Sequence, residues 1–449
     1  MNTPEQIKAE TSMGTVIGTE TMGCRQFLGI PYAKAERFRY AKPVHSFNGV
    51  FDATEFGNAC PQYRQFFPHL DNPERLFYYK EFREGIAFNY DEDCLNLCIY
   101  APVNKTDCPV AVFIHGGGFN SGSNKEEPFR GYELAKRGIL TVFINYRVGI
   151  LGYLTHKDIE KEYGHDGNFG LDDQKTAILW IKEHISEFGG DPENITLFGQ
   201  SAGAISIQYM CLNHDFNGLF RRVYMMSGAG LFPKFALPRQ AAETREYWKQ
   251  LMEYAGCTSL DELRVLDMKT LASATEKLKQ ERKDTIYNTM PVIDGYLIKA
   301  PVNELISSPI PVEYLLSYTN TDMYAPMLAY IGNQFGRQTN AYISFFDIDA
   351  PGDDNGAFHS CDLRYLFGRL SQSWRPYTER DYEVSEQMMD YFSAYAKTGN
   401  PNACCGPYWQ PCHDKKVKVL CFRKDKTAMG NVPFLRLSNN MIRKGDPKA

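Results

Sequence analysis

The stretch Thr196–Ser206, "TLFGQSAGAIS", decides the fold of this chain. An apolar run, Ile195 to Phe198, meets Gly199, Ser201 and Gly203 at alternate positions, and a second apolar run starts at Ala202. Gly-x-Ser-x-Gly between a strand and a helix describes a tight turn that lifts the serine Oγ off the end of a sheet. Side chains at the two glycines would strike neighbouring backbone. The pattern marks Ser201 as a candidate nucleophile, and the reading depends on strands and helices alternating around it.

They do alternate. "CPVAVFIHGGG" (108–118), "ILTVFINYR" (139–147), "NITLFGQSAG" (194–203) and "RRVYMMSGAG" (221–230) read as four apolar strands. "DDQKTAILWIKEHISEFGG" (172–190) and "AGAISIQYMCL" (202–212) read as crossover helices. "PVEYLLSYTN" (311–320) and "NAYISFFDID" (340–349) add two more strands to the same sheet. Near-continuous apolar strands alternating with helices indicate a mostly parallel α/β sheet covered on both faces. Short strands precede it in "GTVIGTE" and "CRQFLGIPYA". The segment 62–91 reads as long loops with short helices, and 238–284 as a helical insert. No repeat or linker divides residues 1–449, so a single domain is expected.

A second glycine motif, "FIHGGGFNSG" (Phe113–Gly122), closes the first of the four strands. Three glycines there leave backbone N–H groups free to face a cavity, where they can hold the negative oxygen of a tetrahedral intermediate. A phosphate-binding loop would need Gly-Lys-Ser/Thr at a helix start, and none is present.

Composition narrows the partners. The 449 residues carry 49 Lys+Arg against 54 Asp+Glu, a net charge of −5, which offers no electrostatic reason for nucleic acid or an anionic membrane as partner. No apolar stretch approaches 18 residues and the start lacks an apolar signal core, so a cytoplasmic protein is expected. The twelve cysteines are then expected as thiols. The cluster Cys404, Cys405, Cys412 and His413 fits no usual zinc spacing.

With both glycine motifs in view, the chain resembles the type-B carboxylesterases, the carboxylesterase/cholinesterase family of α/β-hydrolases. The likeness runs through "FLGIPYAKAERF", "FGNACPQ", "DEDCLNLCIY", "NYRVGILGYL" and "GNFGLDDQKTAILWIKEHISEFGGDPENITLFGQSAG", then "PVIDG", "GAFHSCDLRYLFG" and "AYAKTGNPN", in the family's order. It implies a serine esterase acting on uncharged carboxylic esters through an acyl-enzyme, with no metal or organic cofactor. Ser201 would be the nucleophile, His359 the general base, and Gly117, Gly118 and Ala202 the oxyanion hole. His115, at the head of the glycine motif, is expected to be structural. Ser227 is expected beside the base. Arg147 with Asp173, and Arg37 with Glu92, fall where the family has structural ion pairs. Cys60 and Cys94 fall where secreted relatives have a disulfide, and two adjacent thiols are the other reading.

The triad acid departs from the pattern. Where the family has a glutamate, "YTNTDMYAPML" (318–328) places Met323. Asp322, one residue earlier, is the expected acid, with Asp353, Asp354 and Glu313 as rivals. Gln200 replaces the glutamate that cholinesterases carry before the serine. No tryptophan lies between Cys60 and Cys94 to hold a quaternary ammonium, although Tyr78 and Tyr79 are there, which argues against choline esters. Segments 62–91 and 238–284 would shape the acyl and alcohol pockets. A non-catalytic binding protein of the same fold is the alternative, as is an amidase or thioesterase using the same residues.

Overall fold

The computed structural model describes residues 5–229, 237–282, 288–322, 339–404, 406–412 and 417–431. Its centre is one large twisted sheet. The main strands are β1 (Glu5–Thr11), β2 (Gly14–Thr21), β3 (Cys24–Pro31), β4 (Asn96–Pro102), β5 (Cys108–Ile114) and β6 (Leu140–Ile144). They continue as β7 (Gly190–Gln200), β8 (Arg222–Met226), β9 (Glu313–Thr319), β10 (Ala341–Asp347), β11 (Lys418–Arg423) and β12 (Thr427–Asn431). Their spatial order is β1-β2-β3-β4-β6-β5-β7-β8-β9-β10-β11-β12. From β6 to β11 every neighbour is parallel, while β1 to β4 and the β11–β12 pair are antiparallel.

Both faces of the parallel part are buried, as its unbroken apolar runs require. Along β5, Val110, Val112 and Ile114 enter the core on one face, and Ala111 and Phe113 enter the other. Phe113 sits within 6 Å of the rings of Phe129, Phe143, Phe198 and Phe367, mostly tilted or edge-on. Such geometry suits the ring quadrupole and adds to simple area burial.

Helices α1 (Pro73–Phe82), α2 (Phe169–His184), α3 (Ala202–Cys211), α4 (Ala241–Tyr254), α5 (Met268–Glu281) and α6 (Glu379–Thr398) surround the sheet. α1 starts at Asn72, whose side chain accepts from the N–H groups of Glu74 and Arg75, with Pro73 in the first turn. α6 opens with a capping box between Thr378 and Asp381 and stops at Gly399 in the left-handed region. α4 and α5 fall within the segment expected to be helical. The final pair β11–β12 was not anticipated from the sequence. Among the described residues no helix is long and apolar enough to cross a membrane.

Two ion pairs, one buried and one half-buried, tie together segments distant in sequence. Arg147 grips Asp173 at 2.8 Å (Nε–Oδ2) and 2.7 Å (Nη2–Oδ1), both side chains essentially inaccessible. Arg37 Nε meets Glu92 at 3.1 and 3.0 Å.

Candidate active site

Every candidate catalytic residue lies in a segment that follows a parallel strand. At the end of β7 the backbone turns sharply into α3, with Ser201 between them at φ 56° and ψ −122°. A non-glycine residue in this region is strained, and it is held there by its surroundings. Ser201 N–H donates to Met226 O at 2.8 Å, and Ile205 N–H donates back to Ser201 O at 3.0 Å. Gly203 is indispensable to this turn: a Cβ there would stand 2.0 Å from Ile114 O.

The glycine loop follows β5, the neighbour of β7. A Cβ at Gly116 would lie 3.0 Å from the Cβ of Ser201, so the loop and the serine are in contact distance. Gly117 and Gly118 have φ of 109° and 60°. Among the described residues the N–H groups of Gly117, Gly118 and Ala202 make no hydrogen bond. Ala202 is the first residue of α3, where a backbone N–H has no acceptor within its own helix. His115 is buried and stacks on Tyr146 with ring centroids 4.4 Å apart. Burial pushes its imidazole down to about 4, so it stays neutral at neutral pH.

Asp322 and His359 follow β9 and β10, which pair in parallel register up to Thr319 and Phe346. His359 Nδ1 and Asp322 Oδ1 are 2.7 Å apart. A carboxylate can only accept, so the imidazole proton sits on Nδ1 and donates to Asp322. Thr319 N–H donates to the other carboxylate oxygen at 2.9 Å. Thr321 Oγ1 donates to Ala357 O at 2.9 Å, binding the acid's loop to the histidine's. The Asp322 side chain is 2 % exposed and that of His359 31 %. Burial opposes charge on Asp322, but His359, the Ser227 hydroxyl and the Thr319 N–H outweigh it and hold the carboxyl below its usual range. Burial likewise works against a charged His359, yet the Asp322 carboxylate prevails and raises it.

The rivals for the acid are engaged elsewhere. Asp353 is bound by Arg375 at 2.8 Å, Glu313 by Arg222 at 2.5 Å, and Asp354 is exposed. Met323, Cys405 and His413 lie outside the described residues. Cys60 and Cys94 are buried thiols in mutual contact, which with burial raises Cys94 well above its normal range.

Two features were not foreseen. The second ring nitrogen of His359, Nε2, stands 3.1 Å from Gln200 Nε2. With the proton on Nδ1, Nε2 is an acceptor, and the Gln200 amide donates to it. Asp362, three residues after His359, is a fully buried carboxyl with no cationic side chain paired to it among the described residues. Burial and the nearby Asp322 push it up to about 7. The H-x-x-D spacing was visible in the sequence, but nothing there showed that Asp362 points inward.

A doubly covered parallel sheet, a strained serine at a strand-to-helix turn, and an acid–histidine pair on later strand ends together define the α/β-hydrolase fold. The chain belongs to the carboxylesterase family, whose model matches residues 5–335 and 323–436. It is 29 % identical to the para-nitrobenzyl esterase of Bacillus subtilis (strain 168), over 93 % of this chain and 95 % of that one. It is 32 % identical to the acetylcholinesterase of Danio rerio, over 72 % of this chain and 51 % of the other. A solved PNB esterase structure superposes with a TM-score of 0.82 at 25 % identity, covering 96 % of this chain and 99 % of that one. The protein is a serine carboxylesterase, a carboxylic ester hydrolase; nothing favours the non-catalytic alternative.

Proposed function

We propose that Ser201 attacks the ester carbonyl, with His359 as general base and Asp322 as the acid that orients it. Gly117, Gly118 and Ala202 supply N–H groups to the oxyanion. His359 Nε2 takes the serine proton, and the ring returns it to the departing alkoxide; water then releases the acid from the acyl-enzyme by the reverse sequence. The carrying observation is the 2.7 Å contact between His359 Nδ1 and a buried Asp322. It directs the basic nitrogen towards the elbow, where it meets the residue immediately before Ser201. The substrates are small-molecule esters, and the reading includes residues 1–449 acting as one domain in the cytoplasm.

Hydrolysis of p-nitrophenyl acetate, butyrate and octanoate by wild type and Ser201→Ala tests this reading, with fluorophosphonate labelling alongside. Turnover confined to wild type, with label on Ser201, is the expected result. Folded wild-type protein that neither turns over nor labels would overturn it. Equal cleavage of a matched anilide and ester would move the assignment to an amidase.

A further inference from the structure

Beside the glycine loop opens a narrow cleft. Its walls include Gln62 and Tyr63 from the segment after β3, Asn120 and Gly149 from loops after β5 and β6, Trp248 of α4 and Lys279 of α5. The cleft belongs to the catalytic end of the molecule. Asn120 Nδ2 donates to Gly118 O at 2.7 Å, and Gly149 N–H donates to Phe119 O at 2.7 Å. Gln62 reaches the far end of the same loop, bonding the N–H and the carbonyl of Gly122 at 3.1 Å each.

Lys279 is the charged group on this wall. Its Nζ lies 3.4 Å from the centroid of the Tyr63 ring, a cation–π contact. Among the described residues it forms no ion pair and no hydrogen bond, although it is half-buried. Lysines in such surroundings are normally paired or extended into water. Glu276, one turn earlier on α5, is instead near His69, at 3.8 Å. Burial and the positive charge of Arg75 on α1 bring the Lys279 ammonium down to about 8, against the opposing pull of Glu276. An ammonium held over an aromatic face, with donors to spare and a cleft before it, is arranged to receive an anion.

We propose that Lys279 is a specificity-determining residue that receives a carboxylate carried by the substrate, on the acyl or the alcohol side of a neutral scissile ester. The proposal rests on the serine-esterase reading above. Uncharged esters remain substrates, and the lysine adds a preference among them for those ending in an acid. It also gives the missing tryptophan a counterpart: the cation sits on the protein, where a choline ester would bring its own.

The test uses two isosteric pairs. Mono-p-nitrophenyl adipate is compared with p-nitrophenyl 6-methylheptanoate, and 4-carboxyphenyl butyrate with 4-carbamoylphenyl butyrate. For each pair, the acid-to-neutral ratio of kcat/KM is measured for wild type, Lys279→Met and Lys279→Glu. In at least one pair the ratio should fall about thirtyfold in Lys279→Met and further in Lys279→Glu, the lower end of the scale for loss of a desolvated charge partner. In wild type the same ratio should decline as ionic strength rises. Ratios in both pairs unmoved by the substitutions, or a salt-insensitive wild-type ratio should the variants not fold, would overturn the proposal. Absence of turnover on every ester, acid or neutral, would instead remove the esterase reading beneath it.

Discussion

At the scale of single residues, the side chains around His359 decide which protonation state works. In the proposed mechanism His359 must be neutral to accept the serine proton, and Asp322 raises its pKa above the ordinary 6.5. The acid limb of kcat/KM should therefore lie above pH 6.5. Asp322→Asn removes the anion that fixes the tautomer and supports the imidazolium, and should lower kcat by on the order of 10³- to 10⁴-fold with folding intact. If Asp353→Asn had that effect and Asp322→Asn did not, the acid would be misassigned. Gln200 donates an N–H to Nε2, which favours neutral imidazole. Gln200→Glu places an anion there instead, and the acid limb should move up by about one pH unit. A limb that stays in place would show that Gln200 does not face the ring during turnover.

At the scale of elements, the loop that carries His359 is held by α1 through Arg375. This arginine is wholly buried and bonds Glu81 of α1 at 2.9 Å, Asp353 at 2.8 Å and Pro351 O at 2.8 Å. Its guanidinium also lies over Phe358, next to the histidine, and Phe358 packs edge-on against Phe77 of α1. Removing one partner of a buried pair leaves the other charge uncompensated. Arg375→Met should thus cost about 3–5 kcal/mol in urea unfolding, and a loss below about 1 kcal/mol would refute the buried-pair account. This scale also shows what the sequence could and could not reveal. The parallel strands, the elbow and the glycine loop were legible because apolar runs and glycines report on local backbone. The pairing of Asp322 with His359 was legible from the place of Asp322 after a strand. β11 was missed because its buried core, Val419 to Phe422, is short and flanked by lysines and arginines. The Gln200 contact, the inward Asp362 and the lysine in the cleft depend on segments brought together from far apart, which no local pattern records.

At the scale of the whole molecule, stability should carry the mark of two buried acids. Asp172 and Asp362 are each pushed up to about 7, chiefly by burial and then by a neighbouring aspartate. An acid whose folded pKa exceeds its unfolded value near 3.8 binds more protons when folded. Its contribution to stability is complete below pH 3.8 and is lost as pH rises through about 7. Asp172→Asn should consequently raise Tm at pH 8 relative to its effect at pH 4. Equal effects at the two pH values would show that Asp172 is not perturbed. A last consequence follows from the placement of Ser201, Asp322 and His359 beyond the ends of β7, β9 and β10. Their mutual geometry is set by the strand ends and by the α1 contacts to the His359 loop, whereas the α4–α5 wall of the cleft adds no strand to the central sheet. Transplanting the α4–α5 segment from a relative, with 62–91 left in place to brace the His359 loop and the glycine loop, should therefore produce a chimera with an altered substrate preference and an unaltered turnover chemistry. Selectivity and reactivity are separately heritable in such a chain, so new substrates can be acquired by recombination without rebuilding the machinery that cleaves them.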